Sequence, residues 1–471
     1  MPAEAAEASP GLLWAPLAWL PEGWREHVLL RIGKDGRWTE VTPGVRVPPE
    51  HAEMLDAPLL PGFVDAHSHA FQRAFAGAAE RRESASDDFW SWRERMYAVA
   101  LRIGPEQLRA LAAQLYVELL RGGYTHVCEF HYLQRECDGT DYADPLAMSW
   151  ALADAAADAG IGLTILPVLY ERAGFDTPAL RDEQRRFRSS ARSVFDAAQR
   201  ITAAGRPMLG AGIAIHSLRG ASPAGIAALR AMAGGHAGPI HIHVAEQTAE
   251  VDDCLHATGA RPIEWLAREG LLDARWQLVH ATHAAPDEID AVAASGAGIV
   301  LCPSTEANLG DGLCDLPGWL SAGVPITIGS DSQVTRDWRE ELRWLEYGQR
   351  LVRRSRNVAA APERGCASTA ERLAACLLAG SAAAAGQPSW GLVAGARADA
   401  LAVDGGADAL IGVPATGTLD ALVFSSPSTI WKHVMVGGRW VLRGGRHGRG
   451  NTIADDFARS MRQLGPAPNR P

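Results

Sequence analysis

Two histidines stand two places apart at the end of an apolar run. The segment PGFVDAHSHA places His67 and His69 where a buried strand would end. Residues i and i+2 of a strand point to the same side, so both imidazole rings can face one point. Imidazole nitrogens bind Zn²⁺ at about 2.0–2.1 Å, so this spacing indicates a metal site. The same spacing also occurs in solvated turns and structural pairs, so further ligands are needed to support it.

Other apolar runs also end in possible ligands. His243 lies near the end of PIHIHV, and Asp331 ends VPITIGSD. If these runs are strands of one barrel, their carboxyl ends meet at the mouth where barrel enzymes carry out chemistry. We therefore predict one divalent metal ion held by His67, His69, His243 and Asp331. This donor set suits zinc, iron or manganese, and ligand softness does not choose among them. His241, one layer deeper in the same run, is interpreted as a core histidine.

An acid and a further histidine accompany the predicted ligands. Glu246 comes three residues after His243, and His280 lies at the end of WQLVHA. A carboxylate beside an activated water can take its proton and later pass one to a leaving nitrogen. We predict Glu246 as this proton shuttle and His280 as a hydrogen-bond partner of the water or the intermediate. Asp331 would also orient the water. The alternatives are a helix-opening acid for Glu246 and a structural histidine for His280.

Eight strand-like runs position these residues, and helix-like segments alternate with them. The alternation predicts an α/β fold, a (β/α)8 TIM-like barrel over residues 61–386. The runs are GFVDAH (62–67), THVCEF (125–130), GLTILPVLY (162–170), LGAGIAIH (209–216), PIHIHV (239–244), WQLVHA (276–281), GAGIVLCP (296–303) and VPITIGSD (324–331). Between them, EQLRALAAQLYVELLRGG and SWALADAAADAG have helical periodicity.

Short strands also lie at both ends of the chain. HVLLRIG and TEVTPGVRV flank a D-G turn, and ADALAVDG, LDALVFSS (419–426) and IWKHVMVGGRWVLRGG (430–445) follow the barrel. We predict that residues 1–60 and 387–450 form one small β-sandwich domain from both chain ends. Residues 451–471 would be a terminal helix and tail.

Composition argues against several classes of protein. The 471 residues carry a formal net charge of −10 and no basic run, which argues against nucleic-acid binding. The seven cysteines form no C-x-x-C pair, and the start of the chain lacks the basic segment of a signal peptide. No apolar run reaches the ~20 residues of a membrane helix. We therefore expect a cytoplasmic enzyme that binds neither nucleic acid nor membrane.

Three motifs resemble the amidohydrolase superfamily, namely PGFVDAHSH, HVAEQ and TIGSDS. The resemblance implies hydrolysis or deamination of a small molecule at one or two metals. The two-metal branch usually carries a carboxylated lysine at the end of strand 4. Here that strand ends in AIHSLR, and the only two lysines are Lys34 and Lys432. The resemblance therefore implies the one-metal branch, with zinc as the expected ion.

Longer strings, HSHAFQRAFAGAAE, DDFWSWRERMY and EFHYLQ, resemble more narrowly the formimidoylglutamate deiminases. These enzymes of histidine degradation convert N-formimidoyl-L-glutamate to N-formyl-L-glutamate and ammonia. The resemblance implies that the substrate, a small dicarboxylate, is bound by Gln72, Arg93, Tyr132, His216 and Arg219. Arginine suits this task because its planar guanidinium can bind a carboxylate at two points. For Arg93 the alternatives are a solvated surface charge or the neighbouring Arg95 in its place. A homodimer is also expected.

Two other functions stay open. Another deaminase of the same superfamily would act on a purine, pyrimidine or triazine ring, but a neutral ring has no need of two arginines. The second is a metal-bound barrel that binds without catalysis. The presence of Glu246, His280 and Asp331 together argues against it. Asp65 shares the parity of His67 and is assigned no role.

Overall fold

The computed structural model describes residues 11–77, 80, 89–426 and 430–465. Within these residues the chain forms a closed parallel barrel and a second sheet built from both chain ends. Residues 1–10 of the predicted N-terminal part and residues 466–471 of the predicted tail lie outside the described residues.

The elements are numbered in chain order. The strands are β1 (Leu12–Leu20), β2 (Gly23–Ile32), β3 (Trp38–Thr42), β4 (Glu53–Met54), β5 (Leu59–Pro61), β6 (Phe63–Ser68), β7 (Tyr124–His131), β8 (Gly162–Leu169), β9 (Leu209–Ala211), β10 (Ile213–Ile215), β11 (Ile240–Val244), β12 (Trp276–His280), β13 (Gly298–Leu301), β14 (Ile326–Ile328), β15 (Ala400–Val403), β16 (Trp431–Val436), β17 (Arg439–Arg443) and β18 (Arg446–His447). The α-helices are α1 (Phe89–Ala100), α2 (Pro105–Arg121), α3 (Ala147–Ala159), α4 (Ala191–Ala203), α5 (Pro223–Met232), α6 (Thr248–Thr258), α7 (Pro262–Arg268), α8 (Pro286–Ser295), α9 (Pro303–Leu309), α10 (Leu316–Ala322), α11 (Trp338–Arg353), α12 (Thr369–Ala385), α13 (Thr418–Phe424) and α14 (Gly450–Leu464).

Strands β6 to β14 close into a parallel barrel. On one side β14 pairs with β6, where Ile328 lies opposite Asp65. On the other side β10 pairs with both β11 and β8. Strands such as β7 and β11 are buried along their whole length, as expected where helices cover the outside and side chains fill the inside. The predicted (β/α)8 barrel is therefore confirmed.

The predicted fourth strand is interrupted at Gly212, which separates β9 from β10. A Cβ atom at Gly212 would lie 2.6 Å from the carbonyl oxygen of Pro239 and 2.7 Å from the Leu166 side chain. Only glycine permits this close approach. The interruption leaves His216 directly after β10, at the mouth of the barrel.

The two chain ends meet in one sheet with the order β18-β17-β16-β15-β5-β1-β2-β3, and β4 pairs with β1. Antiparallel pairing of β15 with β5 places Leu401 opposite Leu60 and joins the two ends. The sheet has a core of its own, which includes Leu13, Leu30, Leu59, Ala400 and Met435. Each fully buried leucine stabilises the fold by about 1.5–3 kcal/mol. The expected association of both chain ends in β structure is confirmed, and in the described residues it takes the form of one sheet rather than a two-sheet sandwich.

The prediction that LDALVFSS (419–426) is a strand is wrong, because the segment forms helix α13. Its residues Leu419, Leu422 and Val423 are buried. They are spaced three and four positions apart, which places them on one face of a helix. The Asp420 carboxylate accepts a hydrogen bond from the backbone N–H of Ala370, at 3.0 Å, and so supports the start of α12. A short apolar run does not distinguish a strand from a buried helix by period.

Several helix ends are stabilised by a glycine or by a side-chain cap. Helix α3 is followed by Gly160 (φ 75°) and α12 by Gly386 (φ 64°), both in the left-handed conformation that glycine adopts without strain. At the start of α12 the Ser368 hydroxyl accepts from the backbone N–H of Glu371, at 3.0 Å. None of the helices in the described part of the chain combines the length and apolar content needed to cross a bilayer.

Candidate metal centre and active site

The four predicted ligands meet at the mouth of the barrel. His67 Nε2 lies 3.1 Å from His69 Nε2 and 3.0 Å from His243 Nε2. The Oδ1 atom of Asp331 lies 3.4 Å from the Nε2 atoms of both His67 and His69. Tetrahedral ligands at about 2.0–2.1 Å from one ion are separated by about 3.3 Å. The donor atoms therefore fit a single divalent cation.

The contacts of the Nδ1 atoms establish which tautomer His69 and His243 adopt. His69 Nδ1 lies 3.0 Å from the carbonyl oxygen of Phe130, and His243 Nδ1 lies 2.9 Å from that of His216. A carbonyl oxygen can only accept, so each Nδ1 carries the proton and each Nε2 presents a lone pair. Hydrogen bonds of this kind commonly orient metal-binding histidines. Lone pairs facing one another at this distance repel, and a cation between them relieves the repulsion.

The protonation states also suit a metal. Burial lowers the pKa of His67 to about 3, and it lowers the pKa of His69 and His243 as well. Burial alone would raise the pKa of Asp331, but the hydrogen bond with His67 and the positive charge of the nearby His280 outweigh this and lower it. The site thus presents neutral imidazoles and an ionised carboxylate, as metal binding requires.

The backbone after β14 is tied to the end of β6. The N–H of Asp331 donates to the carbonyl oxygen of His67, at 2.9 Å, and the N–H of His69 donates to that of Asp331, at 3.3 Å. Asp331 and His280 have φ angles of 47° and 70°, which are strained for residues with a side chain. Such strain costs about 1–3 kcal/mol for each residue and is concentrated at functional sites.

Asp65 links the same two segments below the ligands. Its carboxylate accepts from the backbone N–H of Ser330, at 2.9 Å, and from the Ser330 hydroxyl, at 2.5 Å. Burial raises the pKa of Asp65 to about 7, against the lowering effect of these hydrogen bonds. Asp65 therefore positions the residue that precedes Asp331.

His280 lies beside the ligand set among three carboxylates. Its Nε2 atom lies 3.8 Å from both Glu246 Oε1 and Asp331 Oδ2. Its Nδ1 atom lies 3.4 Å from Glu306 Oε1. Burial would lower the pKa of His280, but the charges of Glu246 and Asp331 and the hydrogen bond to Glu306 raise it to about 10. His280 can therefore serve as a cationic N–H donor beside the proposed ligands.

Glu246 follows the end of β11 and lies next to the Nε2 atom of His280. Its side chain is buried at the edge of the pocket. Burial raises the pKa of Glu246 to about 7, although the charge of His280 opposes the shift. A carboxyl group with a pKa near neutrality can both accept and donate a proton at physiological pH.

All five predicted substrate-binding residues line one pocket together with His69, His243, Glu246, His280 and Asp331. They are Gln72, Arg93, Tyr132, His216 and Arg219. The Gln72 amide donates to the Tyr132 hydroxyl, at 3.3 Å. Arg93 reaches the pocket from α1, with only 8% of its surface exposed, whereas its rival Arg95 is not among the lining residues. Burial lowers the pKa of Arg93, and the nearby charge of Arg219 adds to the effect. Two cations that face one enclosed space favour anionic groups between them.

Sequence reasoning missed a cluster next to these arginines. The Gln184 amide donates to the hydroxyls of Tyr97, at 3.0 Å, and Tyr170, at 2.8 Å. Both tyrosines line the pocket. Tyr170 directly follows β8, so its place at a strand end was a usable signal. Tyr97 lies on α1 and Gln184 in a short 3-10 helix, and neither position carries a sequence signal.

Comparison with known proteins agrees with this architecture. Residues 59–441 match the Amidohydrolase family. The chain is 44% identical over 457 residues to a formimidoylglutamate deiminase of Pseudomonas aeruginosa, covering 96% of this chain and 99% of that protein. It is 29% identical over 388 residues to a 5-methylthioadenosine/S-adenosylhomocysteine deaminase of Natronomonas pharaonis, covering 82% of this chain and 81% of that protein.

A solved structure extends the likeness to three dimensions. The crystal structure of an amidohydrolase from Brucella melitensis is 40% identical and superposes with a TM-score of 0.91. The match covers 96% of this chain and 99% of that one. With the barrel, the converging histidines and a match over most of its length, this chain belongs to the amidohydrolase family.

Proposed function

We propose that this enzyme hydrolyses N-formimidoyl-L-glutamate to N-formyl-L-glutamate and ammonia. The single observation that carries the proposal is the composition of one pocket. Histidine and carboxylate donors lie together with Arg93 and Arg219, which would bind a dicarboxylate. The 44% identical relative, named formimidoylglutamate deiminase, supports the same substrate.

The proposed cofactor is one Zn²⁺ ion held by His67, His69, His243 and Asp331. When bound, such an ion lowers the pKa of water from about 15.7 to about 7 and polarises the substrate. The separation of the donor atoms and the outward hydrogen bonds of His69 and His243 support this assignment.

Glu246 would move the protons, and His280 would stabilise the intermediate. Glu246 takes a proton from the attacking water as the oxygen adds to the formimidoyl carbon. His280, through its Nε2–H, would donate a hydrogen bond to that oxygen and stabilise the tetrahedral intermediate. Glu246 then passes this proton to the terminal nitrogen and carries the second proton of the same oxygen there as well. The carbon–nitrogen bond breaks, ammonia leaves, and the oxygen remains as the carbonyl of the formyl group. The pKa of about 7 for Glu246 suits both transfers.

Arg93 and Arg219 would bind the two carboxylates of the substrate. Gln72 and Tyr132 are already hydrogen-bonded to each other and would orient the chain between the carboxylates and the formimidoyl group. His216 serves twice, because its carbonyl oxygen holds His243 while its ring lines the pocket.

A ring deaminase is the second candidate, favoured by the likeness to the deaminase of Natronomonas pharaonis. Arg93 and Arg219 both line the pocket, and a neutral ring has no carboxylates for them to bind, so the dicarboxylate is the better fit. The test is ammonia release from formimidoylglutamate and from a panel of ring amines, before and after chelation. Turnover of formimidoylglutamate that disappears with the chelator and returns with zinc is expected. Faster turnover of a ring amine would contradict the proposal.

We further propose that the enzyme acts as a homodimer in the cytoplasm. Cys128, Cys137, Cys254, Cys302, Cys314, Cys366 and Cys376 are all free thiols, which supports a reducing compartment. Sedimentation equilibrium of the purified chain tests the dimer, and a mass of one chain at micromolar concentration would contradict it.

A further inference from the structure

A second group of metal-binding side chains lies directly beside the first. His280, Cys302 and Asp331 each present a ligand atom, and these atoms lie within 4.8 Å of one another. All three residues are buried. They come from consecutive barrel elements, since His280 ends β12, Cys302 follows β13 and Asp331 follows β14. The proposed function assigns no task to Cys302.

Asp331 faces the two groups with different oxygens. Its Oδ1 atom lies 3.4 Å from the Nε2 atoms of His67 and His69, whereas its Oδ2 atom lies 3.8 Å from His280 Nε2. A carboxylate used in this way can bridge two cations, which in two-metal sites lie about 3.5–4 Å apart. A cation can therefore bind to His280, Cys302 and Asp331 while another cation is bound by the first group of side chains.

The orientation of His280 suits ligation through Nε2. Its Nδ1 atom lies 3.4 Å from Glu306 Oε1, so Nδ1 keeps its proton and Nε2 faces the group. A carboxylate behind a histidine is a common support for a metal ligand. On the other side of Nε2, Glu246 Oε1 lies at 3.8 Å and offers a fourth donor.

The thiol of Cys302 is available for ligation. Its sulfur has no hydrogen-bond partner among the residues that the structure describes, whereas Cys128 Sγ donates to the carbonyl oxygen of Ala384, at 3.4 Å. The backbone N–H of Cys302 donates to Glu306 Oε1, at 2.9 Å, so the carboxylate that orients His280 also positions Cys302. A thiol that binds a metal loses its proton, and thiolates prefer soft cations.

We propose that His280, Cys302 and Asp331 Oδ2, with Glu246, form a second and inhibitory site for a soft divalent cation such as Zn²⁺ or Cd²⁺. Binding releases the thiol proton of Cys302 and the Nε2 proton of His280, while Nδ1 keeps its proton. It also takes His280 and Glu246 away from the water and the substrate, so the enzyme stops. This inference rests on the proposed function only for the inhibition, because binding itself requires no substrate. Mg²⁺, which prefers oxygen ligands, would not bind there.

The test is a cadmium titration of the full chain, preloaded with one zinc per chain. Because Cys137, Cys366 and Cys376 are partly exposed, all three are first replaced by serine so that only buried thiols remain. We expect one further equivalent of cadmium in equilibrium dialysis, together with an ultraviolet thiolate-to-cadmium charge-transfer band. Cys302→Ser should abolish the band and weaken the second equivalent at least about tenfold, since loss of a supporting partner alone costs 10–100-fold.

Cys128→Ser is the matched control, because it removes another buried thiol and should leave the band unchanged. Excess zinc should inhibit ammonia release in the parent protein and inhibit Cys302→Ser at least about tenfold less. The absence of a second equivalent, or equal affinity and an unchanged band in Cys302→Ser, would overturn the inference. If Cys302→Ser fails to fold, the parent titration decides, and cadmium binding without the band refutes it. A chain that shows the band but does not use formimidoylglutamate would refute the proposed substrate and leave this site standing.

Discussion

The Nδ1 atom of His243 lies 2.9 Å from the backbone carbonyl oxygen of His216, so the end of β10 sets the tautomer of a side chain on β11. The main chain after one strand thereby orients a proposed ligand on the next. This support is independent of the His216 ring, and it directs the Nε2 lone pair of His243 toward His67. The following predictions test this arrangement.

Replacing His243 with glutamine should lower the affinity for zinc by at least about 10–100-fold, because a direct ligand is lost. His241→Gln is the matched control. His241 lies on the same strand and is buried, but its ring bonds the carbonyl oxygen of Ala384 instead. Metal content after dialysis measures both variants. Equal metal retention by the two variants would show that His243 is not a ligand.

Glu246→Gln should reduce kcat by about 10²–10⁴-fold, because the amide cannot take or give the proton. KM and metal content should remain close to those of the parent enzyme, since the side chain keeps its shape. Steady-state ammonia release measures the effect. A kcat within threefold of the parent would remove Glu246 from the proton transfer.

The pH dependence of kcat/KM should report the ionisation of Glu246. Burial raises the pKa of Glu246 to about 7, so the carboxyl becomes protonated as the pH falls below that value and can no longer accept a proton. We expect kcat/KM to fall tenfold per pH unit below about pH 7. The residual activity of Glu246→Gln should lack this limb. A limb that persists unchanged in that variant would assign it to another group.

Arg93→Met and Arg219→Met should each raise KM for formimidoylglutamate by about 10–100-fold, which corresponds to a charged hydrogen bond of about 1.5–3 kcal/mol. Arg95→Met is the control on the same helix and should change KM less than about twofold. The comparison requires kcat and KM for each variant. Unchanged KM in both pocket variants would argue against a dicarboxylate substrate.

Ser330→Ala should destabilise the fold by about 1–3 kcal/mol, because it leaves the buried Asp65 carboxylate without its hydroxyl partner. Ser381→Ala is the control, since that buried hydroxyl bonds only the Leu377 carbonyl of its own helix. Urea unfolding measures the difference. Ser330→Ala should also weaken zinc binding, because Ser330 precedes Asp331, and an unchanged zinc affinity would show that Asp65 acts on stability alone.

The barrel and the convergence of the four proposed ligands were predictable because each signal was local. An apolar run marks a strand, and a histidine or an aspartate at its carboxyl end marks the mouth. Residues such as His67 and Asp331 could therefore each be identified from its own local sequence pattern. The closure of the barrel brings them together. The family resemblance supplied the five proposed substrate-binding residues, which spacing alone does not identify, and all five line one pocket.

The remaining parts depend on contacts between distant segments. Gln184 joins Tyr97 and Tyr170 only after α1 and the loop beyond β8 have folded over the mouth. Glu306 supports His280 from the start of α9, but its sequence context reads as an ordinary helical acid. The helical state of residues 418–424 likewise depends on packing and on the hydrogen bond of Asp420 to α12. Tertiary context decides such features, and periodicity cannot show them.

Pairing of β5 with β15 has a consequence for biosynthesis. β5 (Leu59–Pro61) leads directly into the strand that carries His67, but its partner (Ala400–Val403) is translated more than three hundred residues later. Until the ribosome has released that partner, β5 lacks one neighbour and exposes the polar edge of an apolar strand to other nascent chains. A premature stop codon anywhere before residue 400 would make this exposure permanent, so truncated chains should aggregate even where every ligand has been synthesised.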